Sequence, residues 1–503
     1  MTPATPVSRP TAPPRISWTR PSVPSAPPAL VVAATCAGLI TAAVAVAPLP
    51  GAGAAVGICA TTAAVWPFTR GRRNAALLGW GGCAVALALV VIVRDAPWLV
   101  AVDLVAALGL ASIALARPRT ISAHVLGSLA LGLAVLRGAG WMVSGFPALT
   151  RGRTVQLRPW VRAALSTAAL LLVFGLLFSS ADAVFGHFLS ALTPDVSVDE
   201  LPARIAVFAM AAASVSAAGY LLAAAPRFEG LVGEARRQPS RVEWVLPLAG
   251  LGVLVIAFVA AQISAWLGGN SYVQGTPGLT YADYARTGFA QLVAAALLTL
   301  AVIAGAVRWV PRDQPADRLL RDGLLGALCL CTLVVLGSAA HRLFLYDANY
   351  GLTRLRFCVM ASIAWIGAVF VLVLAAGATR SHHWLSHAIL GSVVATLVGG
   401  TAANPDARVA DSLVQRYAAT GQLDQPYLAS LSADAVPALL RLPDHARACV
   451  LAAIGDRWHL ADGTGGWATA NLARARANSL LRSAGVSPGV AGGRSADPAC
   501  VTS

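Results

Sequence analysis

Runs of 18 or more apolar residues recur along this chain from residue 29 to about residue 402. A run of that length is typical of a helix that crosses the hydrocarbon core of a bilayer, which needs about 20 residues. The composition agrees, because 57% of the residues are apolar and 12% are charged, whereas a soluble domain has about 25% charged residues. The sequence therefore excludes an ordinary soluble enzyme. It predicts an all-α fold, a polytopic bundle of transmembrane helices with a small soluble helical domain at the C-terminus.

The apolar runs predict about eleven spans, each long enough for one crossing. They cover residues 29–48, 50–67, 75–93, 97–116, 163–181, 204–225, 244–266, 288–307, 323–340, 357–377 and 385–402. Tryptophans stand near many of the ends, as at Trp66, Trp98, Trp160, Trp244, Trp266, Trp309 and Trp384. An indole ring is apolar but carries one N–H donor, so we interpret these residues as interfacial anchors.

The arginines concentrate in alternate turns between the apolar runs and predict the orientation. If those turns, the N-terminal head and Arg380 face the cytoplasm, the inner side holds 21 arginines and six acidic residues. Such an excess of arginine marks the cytoplasmic side of a membrane protein. The pattern places the N-terminus in the cytoplasm and the C-terminus outside. It also argues against nucleic acid as a partner, although the net charge is +15.

Composition divides the chain into five parts. We expect a disordered, proline-rich cytoplasmic head at 1–28, N-terminal transmembrane helices at 29–162 with an in-plane or re-entrant segment near 121–149, a seven-helix transmembrane domain at 163–402, an extracytoplasmic helical domain at 403–485 and a flexible tail at 486–503. Within the helical domain, Pro405 and Gly421 are placed to begin and end one helix, and Asp424, Ser432 and Asp444 to begin others.

One carboxylate lies inside a predicted span. Asp103 is in the run 97–116, where a charged side chain is costly. It is either a neutral, hydrogen-bonded residue near a helix end or a site for a proton or an ion. Arg94 and Asp95 stand side by side in the turn before this span, where they could pair with each other.

Polar residues gather at the predicted outer face and form the candidate ligand site. They are Asp182, His187, Tyr281, Asp283, Tyr284, Arg286, His341, Tyr350, Arg354 and Arg356. Carboxylate, imidazole, phenol and guanidinium groups at one bilayer surface could bind an anionic headgroup or a lipid-linked substrate, because arginine makes bidentate contacts with phosphate. The alternative is an interfacial belt of side chains that pair among themselves.

Cysteine positions predict a possible disulfide and no metal site. Of the eight cysteines, only Cys449 and Cys500 fall in the soluble domain, where an oxidising compartment would allow a bridge between them. His383 and His387 stand four residues apart, but no third ligand is evident near them. We expect no metal and no cofactor.

Short motifs add a family resemblance. They lie at 177–185, 274–286 and 350–356, and near the C-terminus at 404–407, 416–417, 420–424, 427–428 and 431–439. As a set they resemble the bacterial membrane family catalogued as domain of unknown function 4173, related to 4153. The resemblance covers about residues 170 to 440, while the first 160 residues show no matching motif. It implies a polytopic membrane protein and supplies no activity.

Three functions are compatible with these features. The first is a non-enzymatic envelope protein that acts as a scaffold, sensor or assembly factor, with membrane lipid and an envelope protein bound through 403–485 as partners. The second is a transporter or lipid exporter, although such a protein would be expected to have more charged residues within its spans than Asp103 alone. The third is an outward-facing transferase with a lipid-linked donor, but the first outer loop holds no acidic residue that could serve as its catalyst.

Overall fold

The computed structural model describes residues 17–18, 21, 24–45, 50–118, 120–150, 200–224, 226–227, 239–267, 289–310, 314–381, 383–458 and 466–484, with isolated residues at 166, 167, 170 and 174. These residues are almost entirely helical, which confirms the predicted all-α fold. A two-residue strand pair, β1 (Ser17–Trp18) with β2 (Pro226–Arg227), is the one sheet among them. The chain divides into two compact units, which are described separately.

The first unit comprises residues 1–89, 104–236 and 467–469. Its helices are α1 (Pro28–Val44), α2 (Ala52–Val65), α3 (Ala75–Ala88), most of α4 (Pro97–Ala116), α5 (Ile121–Ser128), α6 (Ala130–Thr150) and α7 (Leu201–Ala223), with 3₁₀ turns at Trp66–Arg72 and Trp467–Thr469. A further 3₁₀ turn, Leu89–Ile92, begins at the last residue of the segment 1–89 and continues into the second unit. Helix α7 packs between α1 and α6. A Cβ atom on Gly138 would lie 3.1 Å from the Ala217 backbone. Small residues thus allow the close helix approach that membrane bundles use.

The second unit comprises residues 90–103, 237–466 and 470–503. Its long apolar helices are α8 (Arg241–Leu267), α9 (Phe289–Trp309), α10 (Pro315–Tyr350), α11 (Arg354–Thr379) and α12 (Leu385–Ala403). Helix α10 packs against α8, α9 and α11 around a core that includes Leu328, Leu336 and Phe370. Because many outward leucine and valine side chains are exposed, as at Leu254, Leu298 and Val371, these helices present the surface that a bilayer would cover.

Shorter helices complete the second unit and have their own apolar core. They are α13 (Pro405–Thr420), α14 (Gln425–Ala429), a 3₁₀ turn (Ala433–Ala435), α15 (Val436–Leu439), α16 (Asp444–Arg457) and α17 (Leu472–Ser483). Leu428, Leu439, Ile454 and Leu481 are fully or almost fully buried together. Two helix-capping residues expected from the sequence are in place. Asp424 caps α14 by accepting a hydrogen bond from the Tyr427 N–H, and Gly421 ends α13 at φ 71°.

Within the described part of the chain, nine helices are long and apolar enough to cross a membrane, which confirms a multi-pass protein. Helix α1 has 17 residues and counts among the shorter apolar helices, and the predicted span at 163–181 lies almost wholly outside the described residues. Helix α10 is 36 residues long, twice the predicted span of 323–340. At about 1.5 Å per residue its length exceeds the hydrocarbon core, so one end extends beyond it.

The region predicted as an in-plane or re-entrant segment, 121–149, forms α5 and α6. Thr120 caps α5 by accepting a hydrogen bond from the Ala123 N–H. At the junction, the Ser112 hydroxyl donates to the Gly127 carbonyl at 2.5 Å and accepts from the Leu131 N–H at 2.8 Å. Its placement in the membrane, like the predicted domain limits, stays a prediction.

Candidate functional site

Among the described residues of the second unit, the most heavily bonded carboxylate is Asp406, in the first turn of α13. Asn404, in the left-handed conformation, ends α12, and Pro405 begins α13, so the chain turns sharply and directs Asp406 inward. Arg354, at the start of α11, donates from Nε to Asp406 Oδ1 at 2.7 Å and from NH2 to Oδ2 at 2.5 Å. Charge-assisted, bidentate hydrogen bonds of this kind are roughly twice as strong as those between neutral groups.

Both residues of this pair make further hydrogen bonds. Asp406 accepts from the Ser432 N–H at 2.9 Å and from the Trp98 indole at 3.2 Å. Arg354 donates from NH2 to the Ser430 carbonyl at 3.2 Å, and its backbone N–H donates to the Tyr427 hydroxyl at 2.9 Å. The pair therefore joins the starts of α4, α11 and α13 to the segment that follows α14.

A second ion pair lies beside the first. Asp434 accepts from Arg94 NH1 at 3.3 Å and from the Asp95 N–H at 2.8 Å. Arg94 also donates from Nε to the Thr401 carbonyl at 2.9 Å, at the C-terminal end of α12. The last carbonyls of a helix lack partners further along it, and Arg94 supplies donors to this helix end, since its NH2 also donates to the Ala402 carbonyl at 3.4 Å.

The third ion pair joins Asp95 to Arg474 of α17, with Asp95 Oδ1 3.2 Å from Arg474 NH1. Both side chains are less than a tenth exposed. Asn471 holds α17 in place, because its Oδ1 accepts from the Ala473 and Arg474 N–H groups while its Nδ2 donates to the carbonyls of Val91 and Arg94. We call the six charged residues of these pairs the charge cluster: Arg94, Asp95, Arg354, Asp406, Asp434 and Arg474.

Burial and pairing shift the pKa values of the cluster in opposite directions. Burial acts to raise the pKa of Asp406, but the hydrogen bonds and charge of Arg354 and the hydrogen bonds of Ser432 outweigh it and leave the pKa below its ordinary value. Burial raises the pKa of Asp95 to about 6 against the opposing charge of Arg474. Burial also raises the pKa of Asp434 and lowers that of Arg474. Of the three aspartates in the cluster, only Asp406 has its charged form stabilised relative to a free aspartate.

Sequence reasoning allowed a pair between Arg94 and Asp95, and the structure does not form it. Their side chains diverge, to Asp434 and to Arg474. It also missed Asp406, Asp434, Arg474 and Asn471. The one available signal was the density of helix-capping residues at 404–406 and 432–434. Partners more than 300 positions away, as Asp434 is from Arg94, leave no trace in local sequence.

Asp103 lies in α4 with no side-chain exposure to solvent. Its Oδ2 accepts a hydrogen bond from the Thr401 hydroxyl of α12 at 2.8 Å. Its Oδ1 has no hydrogen-bond partner among the residues that the structure describes. One of the two carboxyl oxygens therefore makes the hydrogen bond expected for Asp103. Binding of a proton or an ion by this carboxyl stays a prediction.

Four of the predicted outer-face residues fall in the described region, near the junction of α10 and α11. Besides Arg354, they are Arg356, His341 and Tyr350. The Arg356 guanidinium stacks 4.1 Å from the centroid of the Tyr346 ring, lies 3.7 Å from Asp347 and donates to the Gly351 carbonyl. The Tyr350 ring packs against the Tyr346 ring at a tilt of 40°, with centroids 4.7 Å apart. Both arginines are thus bonded within the protein, and a ligand-binding role for these residues stays a prediction.

The other outer-face candidates lie outside the described residues: Asp182, His187, Tyr281, Asp283, Tyr284 and Arg286. Cys449, in α16, is disulfide-bonded. Cys500, its predicted partner, lies outside the described residues, so the pairing of the two stays a prediction. Among the described residues, no group of three or more histidine, cysteine or acidic side chains is arranged to hold a metal ion.

Comparison with known proteins assigns the family. Residues 81–442 match the family described as domain of unknown function, DUF4153. No curated protein and no solved structure matches significantly. The resemblance to the related family 4173 was therefore wrong. The match begins at residue 81, well before the first of the motifs, which starts at residue 177. The matched range includes five of the six cluster residues, all except Arg474. The chain is an integral membrane protein that belongs to the DUF4153 family.

Proposed function

We propose that this protein is a scaffold, sensor or assembly factor of the cell envelope, and that helices α13 to α17 form the surface that binds its protein partner. The observation that supports this most directly is the charge cluster. Its three ion pairs bind those short helices to the turn before α4 and to the start of α11. Arg94 also bonds the carbonyls at the end of α12. The short helices are therefore held in one orientation on the spans.

The energetics of the cluster favour a coupling role. Three arginines and three aspartates are matched one to one in ion pairs. Burying such charges carries a desolvation penalty, and losing one partner then costs several kcal/mol. A group that must stay paired is poorly suited to bind and release a ligand. It is well suited to transmit a displacement of the short helices to the spans, or the reverse.

The arginine distribution gives the orientation of this arrangement. The N-terminus is cytoplasmic and the C-terminus extracytoplasmic, because the arginine-rich turns lie on the inner side. The short helices then face the periplasm or the cell exterior. In this orientation, residues 403–485 would bind a second envelope protein. Membrane lipid would surround the spans.

Site-specific photo-crosslinking in intact cells tests the proposal. A crosslinking amino acid is placed at Gln415, Ala419 or Arg457, which are exposed on the short helices. The matched control is Val371, which is 54% exposed in the middle of the apolar helix α11. We expect a discrete protein adduct from the first three positions and none from the control.

The same adduct should disappear in the Asp406→Ala variant at equal expression, because that change releases the short helices from α11. Adducts absent from every exposed position of the short helices, in cells where the tagged protein complements a deletion, would contradict the scaffold proposal.

A transporter remains the second candidate, on the evidence of polar side chains inside the spans. Besides Asp103, the Gln262 Oε1 atom accepts from the Ser338 hydroxyl at 3.1 Å and from Arg342 NH2 at 2.7 Å, between α8 and α10. Ionisable residues within spans commonly mark transport pathways. If Asp103→Asn abolishes complementation while expression and melting temperature are unchanged, transport is favoured. Full complementation by that variant favours the scaffold.

A further inference from the structure

A cleft of about 430 Å³ opens beside the charge cluster within the second unit. Its walls come from α13, α15 and α17, and from the turn that precedes α4. The volume lies within the range of small-molecule sites. None of the residues predicted from the sequence as a ligand site lines it.

The cleft begins where two spans end. Val93 follows the candidate span Ala75–Ile92 directly, Asn404 follows Leu385–Ala403 directly, and both line the cleft. The hydrocarbon core is about 30 Å of a total bilayer thickness of about 40–45 Å, so the polar headgroups form the next layer on each side. The cleft therefore lies at the level where lipid phosphates are found.

The charged residues of the lining are three arginines and two aspartates: Arg94, Arg441, Arg476, Asp411 and Asp434. Arg94 is fixed on Asp434 and on the α12 carbonyls. Arg441 pairs with Asp411, but both side chains are about half exposed, so the pair is weak and can open at little cost. One positive charge is left over, and it belongs to Arg476.

Arg476 supplies the free donors. Its guanidinium has no ion-pair or hydrogen-bond partner among the residues that the structure describes, and the residue is exposed in the second turn of α17. Leu472 and Ala473, from the first turn of the same 12-residue helix, also line the cleft. The N-terminal end of a helix carries a partial positive charge, which adds to the attraction for an anion.

We propose that this cleft binds a phosphate group, with Arg476 and Arg441 as its cationic contacts. A guanidinium fork fits two phosphate oxygens, and the weak Arg441–Asp411 pair opens to supply the second fork. The phosphate belongs either to an anionic lipid headgroup or to a soluble phosphate ester. This site is independent of the protein surface proposed above, because crosslinking to a partner does not require the cleft to be filled.

Native mass spectrometry of the delipidated full-length protein tests the proposal. The probes are phosphatidylglycerol, phosphatidylcholine and glycerol 3-phosphate. The variant is Arg476→Gln, and the matched control is Arg482→Gln, which removes an equal charge from an exposed position of the same helix outside the cleft. Losing one charge-assisted contact should weaken binding about tenfold in Arg476→Gln and leave Arg482→Gln unchanged. Arg441→Gln should show a smaller loss, since that arginine must first leave Asp411.

Each outcome decides the question. Tighter binding of phosphatidylglycerol than of phosphatidylcholine, with the expected dependence on Arg476, supports a lipid phosphate. The same dependence for glycerol 3-phosphate without a lipid preference supports a soluble ester. Equal binding by the wild type and Arg476→Gln, or an equal loss in Arg476→Gln and Arg482→Gln, overturns the site. Melting temperatures of all variants confirm that these exposed substitutions leave the fold intact.

Discussion

The indole N–H of Trp98 donates a hydrogen bond to Asp406 Oδ1 at 3.2 Å, although 308 positions of sequence separate the two residues. Trp98 is in the first turn of α4 and Asp406 in the first turn of α13. A tryptophan expected only to anchor a span at the interface thus also bonds the central carboxylate of the charge cluster. Both residues belong to the second unit, so this bond ties the start of α4 to the C-terminal helices within that unit.

Removing the Asp406 carboxylate should destabilise the protein strongly. Asp406→Ala removes the carboxylate that accepts from the Arg354 guanidinium, the Ser432 N–H and the Trp98 indole, and leaves the Arg354 charge without its counter-ion. Breaking a buried ion pair from one side costs about 3–5 kcal/mol, so the melting temperature of the detergent-purified protein should fall clearly. The control is Asp444→Ala, whose carboxylate is 91% exposed beside Arg447 and should change stability by less than about 1 kcal/mol. Equal shifts in the two variants would show that the cluster contributes no stability.

Stability should depend on pH through Asp95. Burial raises the pKa of this carboxyl from 3.8 to about 6, so the folded protein holds the proton more tightly than the unfolded chain. This contribution to stability is complete below pH 4 and is lost as the pH rises through 6. A shift of that size corresponds to about 3 kcal/mol. The melting temperature of the wild type, taken relative to Asp95→Asn, should therefore decline between pH 4 and pH 7.

Asp406 acts in a different pH window, which separates the two effects. Its pKa is lowered, so its stabilisation is present above the ordinary value near 3.8 and is lost only as the pH falls below it. Melting curves of the wild type and Asp95→Asn that stay parallel from pH 4 to pH 7 would contradict the assignment to Asp95.

Cysteine labelling should reveal the orientation in the membrane. In intact cells, an impermeant maleimide should react with a Gln415→Cys variant, which places the thiol at an exposed position of α13, and not with Arg237→Cys. The arginine-rich turn that holds Arg237 is cytoplasmic by the positive-inside pattern. Permeabilised cells are the control, because both positions should react there. Labelling of Arg237→Cys in intact cells would reverse the orientation.

Peptide mapping without reductant should recover Cys449 linked to Cys500. The bridge would close a loop of about 50 residues, which the chain-entropy relation values at about 4 kcal/mol. The melting temperature should accordingly fall in Cys449→Ser, while Cys36→Ser, at an exposed free thiol in α1, serves as the control. If both peptides carry the alkylating reagent, the pairing is absent and the case for an exported domain weakens.

The sequence alone determined the membrane character, the helical class and many helix ends of this protein. These properties depend on local physics: the length of an apolar run matches the bilayer, as in α4 and α12, and Pro405, Gly421 and Asp424 act on their own few neighbours. The short apolar helix α1 and the 36-residue α10 departed from the expected lengths, because packing and helix propensity extend or shorten a helix independently of hydropathy.

Only the tertiary structure decided which charges meet. Arg354 stood out in the sequence as a candidate ligand contact, yet its guanidinium is bonded to Asp406. Arg94 and Asp95 are adjacent in the chain, yet they pair with Asp434 and Arg474. A carboxylate pairs with any guanidinium that the fold brings within about 4 Å. The separation of two residues along the sequence does not show whether the fold brings them that close. The pattern of apolar residues thus determined that the chain inserts in a membrane. The packing of helix ends that are distant in sequence determined which charged residues pair.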